Sequence, residues 1–325
     1  MPPDAVRLPA LRHLDLYLYR SFLEQHGAAH MRGAARLVAA HATSLRTLCL
    51  RFDITPLPES HCELAALEGG FLESVLLAAP LPALRHLDLS VRYYTWAGKA
   101  RCLEALRPLA RLSLPRLARL SLGALAATGQ GVRWLEGAHL SALRHLAVLD
   151  DSAYDADYTE EYPCVAALAA PRWSSLESLE LYVIPSRGGT AALSAVLAPT
   201  LRRLAVFEWP FDTEGCAEEW SQLRSLEVKH TYDLAEQLGP VRLPRLARLA
   251  MTGGEPPSLR GFAARRAALP ALRVVELQRC LCDTYYNCLV VGCTSPEAVA
   301  FLAELRAAWP GLEVRRYERD DWTQA

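Results

Sequence analysis

The nonapeptide LPALRHLDL occurs at residues 8–16 and again, unchanged, at residues 81–89. A repeated structural unit explains this best, and repeats constrain a fold more than any other feature of a sequence. Alignment on L-x-x-L-x-L extends the pattern along the chain. Its first leucine falls at Leu11, Leu45, Leu84, Leu117, Leu143, Leu176, Leu201, Leu223, Leu246 and Leu272. The second and third apolar sites follow three and five residues later. They are leucine except at Val148, Val206, Val228, Met251 and Val275. A degenerate eleventh copy starts at Leu312 in WPGLEVRRY.

Strand geometry gives the motif its meaning. Residues two apart point to the same side of a strand, so the second and third apolar positions share one face. Each strand is too short to bury that face alone, and stacking copies side by side makes a continuous core. The pattern resembles the leucine-rich repeat superfamily, over nearly the whole chain. That resemblance implies one curved α/β solenoid of ten to eleven repeats spanning 1–325. A parallel sheet would line its concave face and helices its convex face. An acidic insertion at 150–162 and a C-terminal cap at 280–325 complete the expected domain.

Copies are 22 to 39 residues apart, and the longer ones exceed the roughly 20–29 residues of regular repeats. Full helices are therefore expected on the outer side. Residues 20–42, 59–79 and 97–112 read as amphipathic helices, and Ser295-Pro296-Glu297 reads as a helix start running to about Ala308. LARLSLPRLARLSL at 109–122 matches the motif twice, eight residues apart. That is too short for a strand plus return, so the first match is assigned to a helix end and the second to a strand.

Regular repeats place Asn or Cys three residues after the third leucine. Here that site holds Tyr19, Asp53, Arg92, Trp209 and other residues that form no ladder. The irregular style, with Pro-x-Leu phrases such as Leu81-Pro82-Ala83-Leu84, is similar to the repeats of F-box-associated proteins. This resemblance implies substrate recognition in a ubiquitin ligase. No segment reads as an F-box.

Strand residues that face away from the core fall into columns. The first holds His13, His86, Arg119, His145, Arg203 and Arg248 and no acid. The second holds Asp15, Asp88, Glu180, Glu227 and Glu276 and no base. The third holds Tyr17, Arg51, Tyr182, Phe207 and Lys229. Two readings stand: the first two columns neutralise each other across the sheet, or the face receives a protein or peptide. In the second reading Tyr17, Tyr182, Phe207 and Trp209 are the exposed aromatic anchors.

DDSAYDADYTEEY at 150–162 carries Asp150, Asp151, Asp155, Asp157, Glu160 and Glu161 among Tyr154, Tyr158 and Tyr162. It reads as a solvated loop or as an acidic lip for a basic partner. It lacks the Asp/Asn-Gly spacing of an EF-hand calcium loop. Cys280, Cys282, Cys288 and Cys293 depart from the paired C-x2-C spacing of structural zinc. His13, His86 and His145 sit in alternate repeats, about 10 Å apart, too far for one ion. No metal and no cofactor is expected.

Net charge is −1, so the basic excess that would favour nucleic acid is missing. Only Lys99 and Lys229 are lysines among 35 basic residues. Any anionic partner would thus meet planar guanidinium groups. Nine cysteines without a regular framework, and a single Asn287 outside any glycosylation motif, point to reduced thiols in a cytosolic or nuclear setting. No apolar run approaches a membrane span. Phosphate loops, H-E-x-x-H and G-x-S-x-G are missing from the sequence. The expectation is a non-catalytic scaffold that binds a protein or peptide, with a structural or regulatory subunit as the alternative.

Overall fold

In a computed structural model the described residues are 11–19, 31–54, 70, 72–77, 80–93, 107–124, 135–149, 171–181, 187–207, 209, 216–229, 234–239, 241–252, 261–278 and 296–317. The chain divides into two compact units, Met1–Ala167 and Leu168–Ala325. The first holds strands β1 (His13–Tyr19), β2 (Thr47–Ile54), β3 (His86–Tyr93), β4 (Arg119–Ala124) and β5 (His145–Leu149). They pair in parallel, in chain order. The second holds β6 (Ser178–Leu181), β7 (Arg203–Val206), β8 (Ser225–Val228), β9 (Arg248–Thr252), β10 (Val274–Gln278) and β11 (Glu313–Tyr317). These too are parallel and in chain order.

The pairing register follows the repeat. Leu48 lies between Leu14 and Leu87, and Leu50 between Leu16 and Leu89. Leu48, Leu50, Leu87, Leu89, Leu120 and Leu122 are all 0 % exposed, as are Leu179, Leu181, Leu204 and Leu226. The first leucine of the motif is buried as well, at Leu45, Leu84, Leu117, Leu176, Leu201, Leu223 and Leu246. A one-residue slip would turn every one of these leucines out of the core, which is why the register holds. At about 25 cal/mol per Å2 of buried apolar surface, this leucine stack supplies most of the folding drive.

Two backbone devices recur at the strand entries, although before β2 and β7 the first leucine reaches back four residues, Leu45 to His41 O at 2.9 Å and Leu201 to Leu197 O at 2.8 Å. The N–H of the first leucine donates to the carbonyl three residues earlier: Leu84 to Leu81 at 3.1 Å, Leu117 to Leu114 at 3.0 Å, Leu246 to Leu243 at 3.1 Å. Proline presets the φ that the second residue of such a turn needs, and Pro82, Pro115 and Pro244 stand there. The residue after that leucine then offers its carbonyl to two successive N–H groups of the next copy. Arg46 O accepts from Arg85 N at 2.8 Å and from His86 N at 3.0 Å, and Arg85 O accepts from Ala118 N and Arg119 N in the same way. The arrangement recurs through Glu177, Arg202, Arg224 and Ala247 in the second unit. Each unit thus has the α/β solenoid architecture of leucine-rich repeats.

The connections correct one expectation. They are not uniformly full helices. Helices at 31–40 and 72–76 lie within two of the predicted spans, but within 97–112 the described residues form only the 3-10 helix Arg107–Arg111. Short 3-10 helices also serve at Leu135–Gly137, Pro171–Ser175 and Phe262–Ala267. Longer helices occur at Arg187–Leu197 and Pro296–Ala308, the latter ending where the sequence places it. In Arg187–Leu197, Thr190, Leu193, Ser194 and Leu197 form the buried stripe. Ser194 is satisfied there: its Oγ donates to Ala191 O at 2.8 Å and accepts from Ala217 N at 2.9 Å. The double motif at 109–122 resolves as read. Its first match ends the 3-10 helix, and its second runs into β4.

Candidate functional site

The outward side of the strands carries the candidate surface, because the inward leucines and valines of the inner strands make the core. In the first unit the strand register sets three rows. Asp15, Cys49, Asp88 and Ser121 form one, and Tyr17, Arg51, Ser90 and Gly123 the next. His13, Thr47, His86, Arg119 and His145 form the row nearest the strand starts. Tyr17 is 39 % exposed; with Val299 it is one of two exposed large hydrophobic residues among those described. Beside it, Arg51 Nη2 donates to Asp88 Oδ2 at 3.3 Å. His13, Asp15, Arg51 and Arg119 are exposed, whereas His86 and Asp88 are half-buried.

Charge on this face shapes its titration. His86 is held below its ordinary value by burial and by the Arg119 guanidinium on the paired strand, with Asp88 pulling the other way. The Cys49 thiol lies between Asp15 and Asp88, in register with both. Burial pushes it up, and the two carboxylates push it further against the opposing charge of Arg51. A thiol so placed is a poor nucleophile.

In the second unit the first two columns largely pair with each other, as one of the two sequence readings holds. Arg203 Nη2 lies 3.5 Å from Glu180 Oε1. Arg248 forks onto Glu276, which is 3 % exposed. Glu227 is buried and Phe207 and Lys229 are half-buried, so none of the three stands free as an exposed anchor.

Trp209 is a correction. It was expected as an exposed anchor, but it is 2 % exposed, and its ring packs against Trp220 with centroids 5.8 Å apart and planes at 58°. The cause is legible in the repeat. Trp209 stands three residues after Val206, the site where regular repeats turn a residue back into the solenoid, and a large indole there becomes core. Tyr182, the acidic stretch from Asp150 to Glu161 and the Cys280–Cys293 cluster lie outside the described residues. Among the described residues no group of three or more His, Cys, Asp or Glu is arranged to hold a metal ion. Among them, too, no helix is long and apolar enough to cross a membrane.

One column escaped the sequence reading because it lies just before the strands, not in them. It holds the residues whose carbonyls take two N–H donors. In the first unit these are Arg12, Arg46, Arg85 and Ala118, and Arg144 holds the same place in the next copy. Arg12, Arg46 and Arg85 are exposed. In the second unit the same column supplies an acid: Arg202 Nη1 lies 3.4 Å from Glu177 Oε2. The signal was present as the L-R-x-L phrase that recurs through the chain.

No protein-family model and no curated protein matches the chain. Among solved structures it is similar to the leucine-rich repeat-containing protein LegL7 from Legionella pneumophila. The identity is 17 %, over 96 % of this chain and 87 % of that one, with a TM-score of 0.47.

Proposed function

We propose that this chain is a non-catalytic scaffold that binds a protein or an extended peptide on the outward face of its strands. The observation that carries the reading is Tyr17, a large aromatic left 39 % exposed on a strand face beside the Arg51–Asp88 pair. Aromatic and arginine side chains presented together on a rigid element are the residues that anchor protein interfaces. Five parallel strands spaced about 4.8 Å apart offer roughly 20 Å of such surface, a size that suits an extended segment better than a small metabolite.

The finer reading is substrate recognition for a ubiquitin ligase of the F-box type, acting in the cytosol or nucleus. What supports it is the resemblance of the Pro-x-Leu repeat phrases to those of F-box-associated proteins. Co-purification of an F-box adaptor favours it, and stoichiometric partners without that adaptor favour a structural or regulatory subunit.

The deciding experiment is affinity purification with mass spectrometry on the chain and on Tyr17→Ala. Partners lost in the variant, with circular dichroism unchanged, support binding on the strand face. Partners retained in full overturn that placement.

A further inference from the structure

We infer that the strand-start edge of the first unit docks an acidic peptide segment of a partner protein, gripped by Arg12, Arg46 and Arg85. The inference rests on the protein-binding reading above and assigns the partner's chemistry.

The argument begins with what holds these arginines. Each follows the first leucine of its repeat, and the shared carbonyl bonds from Arg12, Arg46 and Arg85 to the next copy fix their backbones one strand apart. Neighbouring strands are about 4.8 Å apart, so the three span roughly 10 Å. All three side chains are exposed, and none forms an ion pair among the described residues.

The second unit shows what side chains in this column do when an acid is supplied. Glu177 and Arg202 occupy the corresponding positions on adjacent copies, and their charged atoms meet at 3.4 Å. A carboxylate on this edge therefore reaches the guanidinium of the neighbouring copy. The first unit has the cations without the acid. Its column reads Arg12, Arg46, Arg85, Ala118, Arg144, and the adjoining row reads His13, Thr47, His86, Arg119, His145. Neither contains a carboxylate. The closest acid on the third strand, Asp88, is already engaged by Arg51.

Like charges this close are tolerable on a solvated edge, and they favour a partner that brings negative charge. In an extended peptide, alternate side chains lie on one side at a spacing of about 6.8 Å. Two carboxylates at that spacing both fall within the roughly 10 Å that the three guanidiniums span, and the planar forks bind carboxylate oxygens two at a time. A nucleic-acid backbone fits less well. The chain's net charge is −1, so long-range attraction favours neither ligand and the choice is made locally. Asp15 also stands between this edge and Tyr17, the aromatic that could stack a base.

The test is fluorescence anisotropy on the full chain with a labelled peptide of ten glutamates, at low and at moderate salt. Binding is expected to weaken by about tenfold or more in Arg46→Gln/Arg85→Gln, because charge-assisted hydrogen bonds are lost. It should stay unchanged in Arg266→Gln/Arg306→Gln, which removes the same charge from exposed positions on the connections. Equal binding by both variants, or no binding by the unaltered chain, overturns the inference. So does a labelled ten-nucleotide single strand that binds more tightly than the peptide through the same arginines. The two readings fail separately. Partners that need Tyr17 but ignore Arg46 and Arg85 leave the strand-face reading standing and sink this one. Glutamate binding that needs the arginines, while every cellular partner ignores Tyr17, does the reverse.

Discussion

Glu276 of β10 is 3 % exposed, and the guanidinium of Arg248 on β9 forks onto it, Nε reaching Oε1 at 3.0 Å and Nη2 reaching Oε2. Arg248 Nη1 also donates to Ser225 Oγ on β8 at 3.0 Å, and Arg315 on β11 brings Nη1 to 3.6 Å from Glu276 Oε1. Four strands are thus linked across their outward side by one carboxylate and two guanidiniums. The pairing is diagonal: the residue directly beside Glu276 on β9 is Ala250, and its small side chain leaves room for the arginine.

Arg248→Ala should destabilise the second unit by about 2 kcal/mol, because a buried carboxylate loses its principal partner. The figure is set below that of a fully buried pair, since Arg248 keeps 32 % of its side chain exposed and Arg315 stays in reach. Urea unfolding measures it. Arg248→Ala/Glu276→Ala should lose less than the sum of the single changes; strict additivity would show the two side chains to be energetically independent.

Gly123 offers a steric test in the first unit. A Cβ built there would stand 2.6 Å from Ser90 Oγ and 2.9 Å from Ser90 Cβ. The serine hydroxyl can rotate away, but its Cβ cannot. Gly123→Ala should therefore cost on the order of 1–3 kcal/mol, the usual price of overpacking. Combining it with Ser90→Gly should recover most of the loss. A double variant no more stable than Gly123→Ala alone would place the strain elsewhere.

The strands were legible because one physical signal, apolar side chains two apart after a third, marks each of them and also sets the register. Leu48, Leu87 and Leu120 could be aligned on paper, and they are neighbours in the sheet. The connections were harder. A stretch such as 97–112 has helical periodicity, yet its described part closes as the 3-10 helix Arg107–Arg111, since helix propensity is a weak prior that tertiary context overrides. Columns of charge could be listed from the motif, but partners could not. Arg248 takes Glu276 diagonally and Arg51 takes Asp88, choices that depend on side-chain reach and on small neighbours. Trp209 is core, not anchor, because it lies beyond the end of β7 at Val206 and packs on Trp220, a contact that no strand column reveals. The arginine column was missed for the opposite reason: alternation was applied only within the strands, and Arg12, Arg46 and Arg85 precede them.

His86 should titrate below its ordinary value of 6.5, because burial and Arg119 disfavour the imidazolium. A folded-state value below the unfolded one means that the unfolded chain binds the proton more readily. Stability is then undiminished by this group above pH 6.5, and falls as the pH drops from there through the folded value. Histidine-resolved NMR titration reads the value directly. Arg119→Gln should move it upward by removing the neighbouring cation. A value at or above 6.5 in the unaltered chain, or one indifferent to Arg119→Gln, would contradict the electrostatic picture of this row.

Cys49 supplies the complementary test with an acid in place of a base. Its thiol is raised above the ordinary 9.0 by burial first, then by Asp88 and Asp15, with Arg51 opposing. Only the thiolate attacks iodoacetamide, so Cys49 should alkylate slowly at pH 8, as followed by peptide-resolved mass spectrometry. Asp88→Asn acts twice. It removes a carboxylate that disfavours the thiolate, and it releases Arg51 from the contact at 3.3 Å. Alkylation should accelerate. Arg51→Gln should slow it, since only the opposing charge is lost. Both substitutions lie on the same outward face and leave the leucine core intact, so a rate that shifts in the same direction for both would indicate altered access to the sulfur, not altered charge.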